Sequence, residues 1–175
     1  TDPDITTPIA YVIEQEGSEP VGPVLRMIDI SDIENPVPIG ASIPLYDGYP
    51  VGLQIHGENI FVAYNDNYAR LEIINAADLD NPYTVSNLNS PNNQSFRNVT
   101  LQELDNKLYA YIASRQSTYV ADLSDLYNPS IVAEITHSGW ARNIAVNGPF
   151  VYTTYVNSGL LTSWFVKNIF HVTGA

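Results

Sequence analysis

Residues Ile30–Pro36 read ISDIENP, and the frame returns as AADLDNP at Ala76–Pro82 and as LSDLYNP at Leu123–Pro129. Each copy is Asp, two residues, Asn, Pro, and Pro36 to Pro82 is 46 residues while Pro82 to Pro129 is 47. A fixed period of this size marks a repeat architecture. The residue types explain the turn. An Asp side chain accepts from the backbone two residues on, the residue before Pro is pushed to an extended conformation, and Pro has no N–H for a ladder. Each copy is therefore expected to be a corner, with Pro36, Pro82 and Pro129 as the first residue of an outer, edge strand.

Outward from each corner the same succession repeats. VLRMIDI, RLEIINA and TYVADL precede it, and VPIGASI, YTVSNL and SIVAEI follow. A variable loop leads to YPVGLQI, FRNVTLQ and ARNIAV, then a polar turn, then IFVAY, LYAYIA and FVYTTY. These runs are short, β-branched or aromatic, and bounded by Gly, Asn, Asp or Pro, which predicts strands; none shows a capped helical period. The expectation is an all-β chain with four strands per unit, the pattern of a β-propeller blade. The repeats fall at about 9–46, 47–93, 94–136 and 137–175 within a single domain over 1–175. That makes about four blades, either a small closed propeller or part of a larger one.

LRMIDISDIENP resembles the strand and turn of the LVIVD-repeat proteins, and GENIFVAY and NGPFVYTTY are similar to that family's Gly-led Tyr-Val-Ala strand. The resemblance covers nearly the whole chain. It implies a β-propeller in an exported or surface-attached protein, extracellular, at the cell surface or in the periplasm, with no established enzymatic activity. Two departures stand out. IAYVIE matches the second strand of a blade, so the first blade lacks its innermost strand. The last repeat has Lys167 and His171 where the corner Asp and Pro belong. The segment Leu160–Val172 is expected to be strand, burying Trp164 or Phe165 against a neighbouring sheet.

Composition narrows the function classes. The 175 residues are 45% hydrophobic and carry a net charge of −12 with seven Lys and Arg. That argues against nucleic acid, whose affinity comes from neutralised phosphates, and against an anionic membrane surface. With no cysteine there is no disulfide and no zinc–thiolate site. No window is long and apolar enough to predict a membrane span. The opening Thr1, without Met or a leader pattern, suggests a processed or excised piece of a longer precursor.

Chemistry is sparse. Arg97 and Arg142 stand in the same Arg-Asn-apolar context at the start of two innermost strands. Two readings are open: a clamp on a carboxylate or other anion, or a buried bridge to Asp78, Asp122 or Asp125. Tyr49, Phe96 and Trp140 end three equivalent loops, either as an exposed rim that stacks on sugars or anchors a protein, or as fillers between blades. His56, His137 and His171 lie at non-equivalent repeat positions and make a poor metal triad. One Asp per corner falls short of what calcium needs. No Gly-x-Ser-x-Gly, P-loop or His-Glu-x-x-His pattern occurs. The expectation is a non-catalytic interaction or structural-assembly module without a cofactor, with a protein partner or self-association. The alternative is a carbohydrate-binding or carbohydrate-active protein using the loop face.

Overall fold

The structure, a computed structural model, describes residues 8–15, 22–45, 48–65, 69–156 and 161–165, with backbone only for Gln15 and for 161–165. The described residues are all-β, with fourteen strands in four antiparallel sheets. Sheet 1 holds β1 (Ile9–Gln15), β2 (Pro23–Asp29) and β3 (Val37–Pro44). Sheet 2 holds β4 (Pro50–His56), β5 (Asn59–Tyr64), β6 (Arg70–Asn75) and β7 (Tyr83–Asn89). Sheet 3 holds β8 (Phe96–Leu104), β9 (Lys107–Ser114), β10 (Ser117–Asp122) and β11 (Ser130–Thr136). Sheet 4 holds β12 (Ala141–Asn147), β13 (Phe150–Tyr155) and β14 (Leu161–Phe165). Every sheet is a simple meander, each strand pairing with the next in sequence.

The second and third strands of sheets 2 and 3 are buried along nearly their whole length because both of their faces are covered. Phe61 and Ala63 of β5 pack with Phe96, Val99, Ala110, Ile112 and Tyr119 of sheet 3. Ile60, Val62 and Tyr64, on the other face of β5, pack with Leu25, Met27 and Ile43 of sheet 1. Tyr111, Ala113 and Val120 of sheet 3 meet Ile144, Val151 and Tyr155 of sheet 4. Consecutive sheets thus share one core each, in chain order. The first strands β4, β8 and β12 also touch in that order. Outer strands β3, β7 and β11 alternate exposed and half-buried until one inward residue, Ile43, Leu88 or Ile135, is buried.

The corners behave as their sequence implies. Asp32 accepts from Glu34 N–H (3.0 Å), Asp78 from Asp80 N–H (3.0 Å) and Asp125 from Tyr127 N–H (3.0 Å). Their second oxygens take the side-chain amides of Asn35, Asn81 and Asn128 at 2.9–3.0 Å. A preceding Asx turn was not foreseen. Asp29 accepts from Ser31 N–H, Asn75 from Ala77 N–H and Asp122 from Ser124 N–H. The unit is therefore a double turn, with an Asp or Asn three residues before the corner Asp. The prolines stand one residue before the outer strands, whose first residues are Val37, Tyr83 and Ser130. This corrects their expected place as first strand residues: Pro closes the turn, and pairing starts with the next residue.

Corners also lock neighbouring sheets. Leu79 of the sheet 2 corner packs on the sheet 1–sheet 2 core, and its carbonyl accepts from Ala41 N–H of β3 at 2.8 Å. Gly40 beside it has φ 69°, and a Cβ there would lie 2.4 Å from Leu79 O. One step on, the carbonyl of Leu126 accepts from Ser86 Oγ of β7 at 2.6 Å, and its side chain packs on the sheet 2–sheet 3 core. Sheet 2 further holds a polar network around the buried Glu72. Tyr64 donates to Glu72 (2.6 Å), Thr84 donates to the other Glu72 oxygen (2.9 Å), and the Arg70 guanidinium lies 4.5 Å from the Tyr64 ring centroid.

The strand predicted over Leu160–Val172 is present at Leu161–Phe165, where β14 pairs with β13. Burial of Trp164 or Phe165, and the stretch on to Val172, lie outside the described residues.

Candidate functional site

The registers sort the loops onto two ends. In sheet 3, Phe96 pairs with Ser114, Thr118 with Ala113, and Ser117 with Thr136, so the start of β8, the β9–β10 turn and the end of β11 share one end. The double-turn corners sit at the opposite end, where Leu104 pairs with Lys107 and Asp122 with Ser130. The candidates Arg97, Arg142, Tyr49 and Trp140 all belong to the first end.

A bulge places the two arginines. Phe96 pairs with Ser114 and Asn98 with Ala113, so Arg97 is the extra residue of β8; Ala141 pairs with Tyr155 and Asn143 with Thr154, so Arg142 is the extra residue of β12. Pro50 and Gly52 bracket Val51 in the same way in β4. A bulge takes its extra residue out of the ladder and re-aims the side chain. Arg142 is exposed and Arg97 half-buried. Asn98 and Asn143 tie the two strands together through their side-chain amides, Asn98 donating. Each Asn also accepts from the next residue's N–H, Val99 at 2.7 Å and Ile144 at 2.9 Å. Gly52 completes the row: a Cβ there would lie 3.2 Å from Asn98 Oδ1.

The bridge reading does not describe these arginines. No acid among the described residues is within ion-pair distance of Arg97 or Arg142. Asp78 and Asp125 are held inside their own corners at the other end, and Asp122 faces Lys107 at 3.5 Å. The Asn81 and Asn128 amides, then the turn N–H groups, hold the Asp78 and Asp125 carboxyls below their ordinary range. Burial pushes Asp122 up, but Ser124 and Lys107 together outweigh it and its pKa is lowered.

The aromatic rim separates into two kinds of residue. Asn65 N–H donates to Tyr49 O at 2.8 Å and Val156 N–H to Trp140 O at 3.0 Å, so Tyr49 and Trp140 occupy equivalent places just before β4 and β12. They are 64% and 40% exposed, while Phe96 is fully buried against Tyr119, with centroids 6.0 Å apart. Phe96 is one residue further along than the other two, the first residue of β8, and its ring enters the sheet 2–sheet 3 core. Its burial removes it from the rim.

Sequence reasoning also passed over Arg115, in the β9–β10 turn. Its guanidinium lies 4.1 Å from the Trp140 ring centroid. The turn shows only as polar residues in sequence, and the contact joins loops of different sheets. Beneath the rim, His137 shares a hydrogen bond between its Nδ1 and Gly139 O (2.8 Å) and meets Tyr155 edge-on at 4.8 Å. Burial pushes the Tyr111 hydroxyl, in the same inter-sheet core, up to about 12. His56 lies 3.2 Å from Glu103 at the other end, and His171 is outside the described residues. Among the described residues no three His, Asp or Glu side chains gather to hold a metal ion. No described helix is long and apolar enough to cross a membrane. In comparisons with known proteins, no family model and no curated protein matches the chain.

Proposed function

We propose that the chain is a run of β-propeller blades of the LVIVD-repeat type, acting outside the cell or at its surface as a non-catalytic module that assembles blade against blade. One observation carries this. Leu79 and Leu126 are seated on the preceding sheet, but Ile33, at the same place in the first corner, is 77% exposed. The surface around it repeats the contrast, since Val12 is 38% exposed where its equivalents Val62 and Ile112 are fully buried. Sheet 1 therefore offers the face that in sheets 2 and 3 receives a neighbour. The outward face of sheet 4 carries an aromatic pair, Phe150 and Tyr152, with ring centroids 6.4 Å apart. The occupant proposed is sheet 4 of a second copy, in a head-to-tail contact.

Light scattering on the wild type and Ile33→Glu tests the reading. The wild type is expected at a multiple of 19.3 kDa, and the variant as a monomer with an unchanged melting temperature. A monomeric wild type, or a variant that still assembles, overturns it.

A second reading rests on Trp140. Its ring is exposed at the rim and braced by Arg115. An amphipathic ring held this way suits stacking on a sugar, and supports carbohydrate binding at the loop face. Binding of neutral oligosaccharides that is lost in Trp140→Ala tests it.

A further inference from the structure

We infer that the bulged starts of β8 and β12, with the β9–β10 turn, form a site for a uronate-bearing polysaccharide. The inference rests on the carbohydrate reading of the loop face and names the ligand class. Its basis is the placement of positive charge. The chain carries −12 overall, yet Arg97, Arg115 and Arg142 gather at one end of sheets 3 and 4 with no described acid within ion-pair distance. Arg26, by contrast, holds Glu14 at 2.6 Å, and Arg70 is buried over Tyr64.

The bulge recurs in three sheets, but its extra residue is Val51 in β4 and Arg in β8 and β12. The cationic pair is thus confined to one inter-sheet seam. The Asn98–Asn143 bond joins the two strands one residue after each arginine. That fixes the two arginine-bearing bulges on adjacent strands, and a guanidinium fork suits a planar carboxylate. Trp140 stands two residues before Arg142, at roughly 6–7 Å along an extended chain. One ligand unit can therefore present a carboxylate to the arginines and a ring face to the indole. A pyranose with a carboxylate has both features, whereas an acidic peptide lacks the flat apolar face. The negative field of the rest of the protein disfavours dense polyanions, and one charge per sugar ring keeps that repulsion low.

The test is isothermal titration of the full chain with an oligogalacturonate and with a neutral galactose oligomer. Expected is binding of the uronate probe at least about tenfold tighter than the neutral one, falling at least about tenfold in Arg142→Ala and further in Arg97→Ala/Arg142→Ala. Arg142→Lys keeps the charge but loses the fork, and should fall between. Added salt should weaken the uronate probe and leave the neutral probe unchanged. Equal affinity for both probes overturns the anion site and leaves the carbohydrate reading standing. Binding of neither probe overturns both. Uronate affinity unchanged in Arg142→Ala, an exposed substitution whose folding a thermal melt verifies, also overturns the anion site.

Discussion

The first corner and the second corner have the same internal geometry and opposite surroundings. Asp32 and Asp78 make the same two hydrogen bonds, at 3.0 and 2.9 Å, to the same positions in their turns. Yet Ile33 stands in solvent, and Leu79 is seated on β3 with its carbonyl bonded to Ala41. The turn is a local object that folds the same way wherever it occurs. The residue inside it becomes a lock only when a neighbouring sheet is there. The rim divides similarly: Trp140 and Phe96 both come from loop ends, but a one-residue offset sends one to solvent and the other into the core.

The largest predicted effect lies in that rim contrast. Phe96→Ala should destabilise by about 3–5 kcal/mol, as expected for a fully buried aromatic. Tyr49→Ala and Trp140→Ala should each stay within about 0.5 kcal/mol of wild type. Chemical denaturation of the three variants measures the gap, and equal losses would erase the distinction between core and rim.

Next comes the seat of the second corner. Gly40→Ala should cost about 2–3 kcal/mol, since the new Cβ meets the Leu79 carbonyl and the backbone is left-handed there. Leu79→Ala should cost about 2 kcal/mol, the low end for a leucine that is only partly buried. Ile33→Ala, measured on the monomeric chain, should change stability by less than about 0.5 kcal/mol. A comparable loss at Ile33 and Leu79 would mean that the first corner is also seated.

Smaller effects come from the turns, where the two corners should be indistinguishable. Asp32→Ala and Asp78→Ala should lower the melting temperature slightly and to the same degree, because both carboxylates act within their own turn. Their pH dependence has a definite sign. The Asn amides, then the backbone N–H groups, lower the carboxyl pKa of Asp32, Asp78 and Asp125 in the folded state. The stability they contribute is therefore complete above the unfolded value of about 3.9 and is lost as pH falls through the lower folded values. A wild type that loses more stability below about pH 4 than an Asp32→Asn/Asp78→Asn/Asp125→Asn variant would agree; parallel acid curves would not. Smallest of all, Arg142→Ala should leave the melting temperature unchanged, since its side chain is exposed and unpaired among the described residues.

Much of this protein is short-range, and the sequence by itself determined that part. Asp-x-x-Asn-Pro specifies a turn through hydrogen bonds that span three residues, so three copies announced three corners, their period and the all-β class. The strands flanking them were legible because β-branched runs between turn residues fit few other structures. Even the paired arginines showed, as one repeated tripeptide. Only the tertiary structure decided what depends on a second strand or sheet. The bulges that set Arg97 and Arg142 apart exist only as a register against β9 and β13. The burial of Phe96, the Arg115–Trp140 contact and the Asn98–Asn143 tie each join segments 20 or more residues apart. The exposure of Ile33 is the plainest case, because its turn is the same as its neighbours'. What differs is the sheet packed beside it, and burial belongs to that neighbour as much as to the residue.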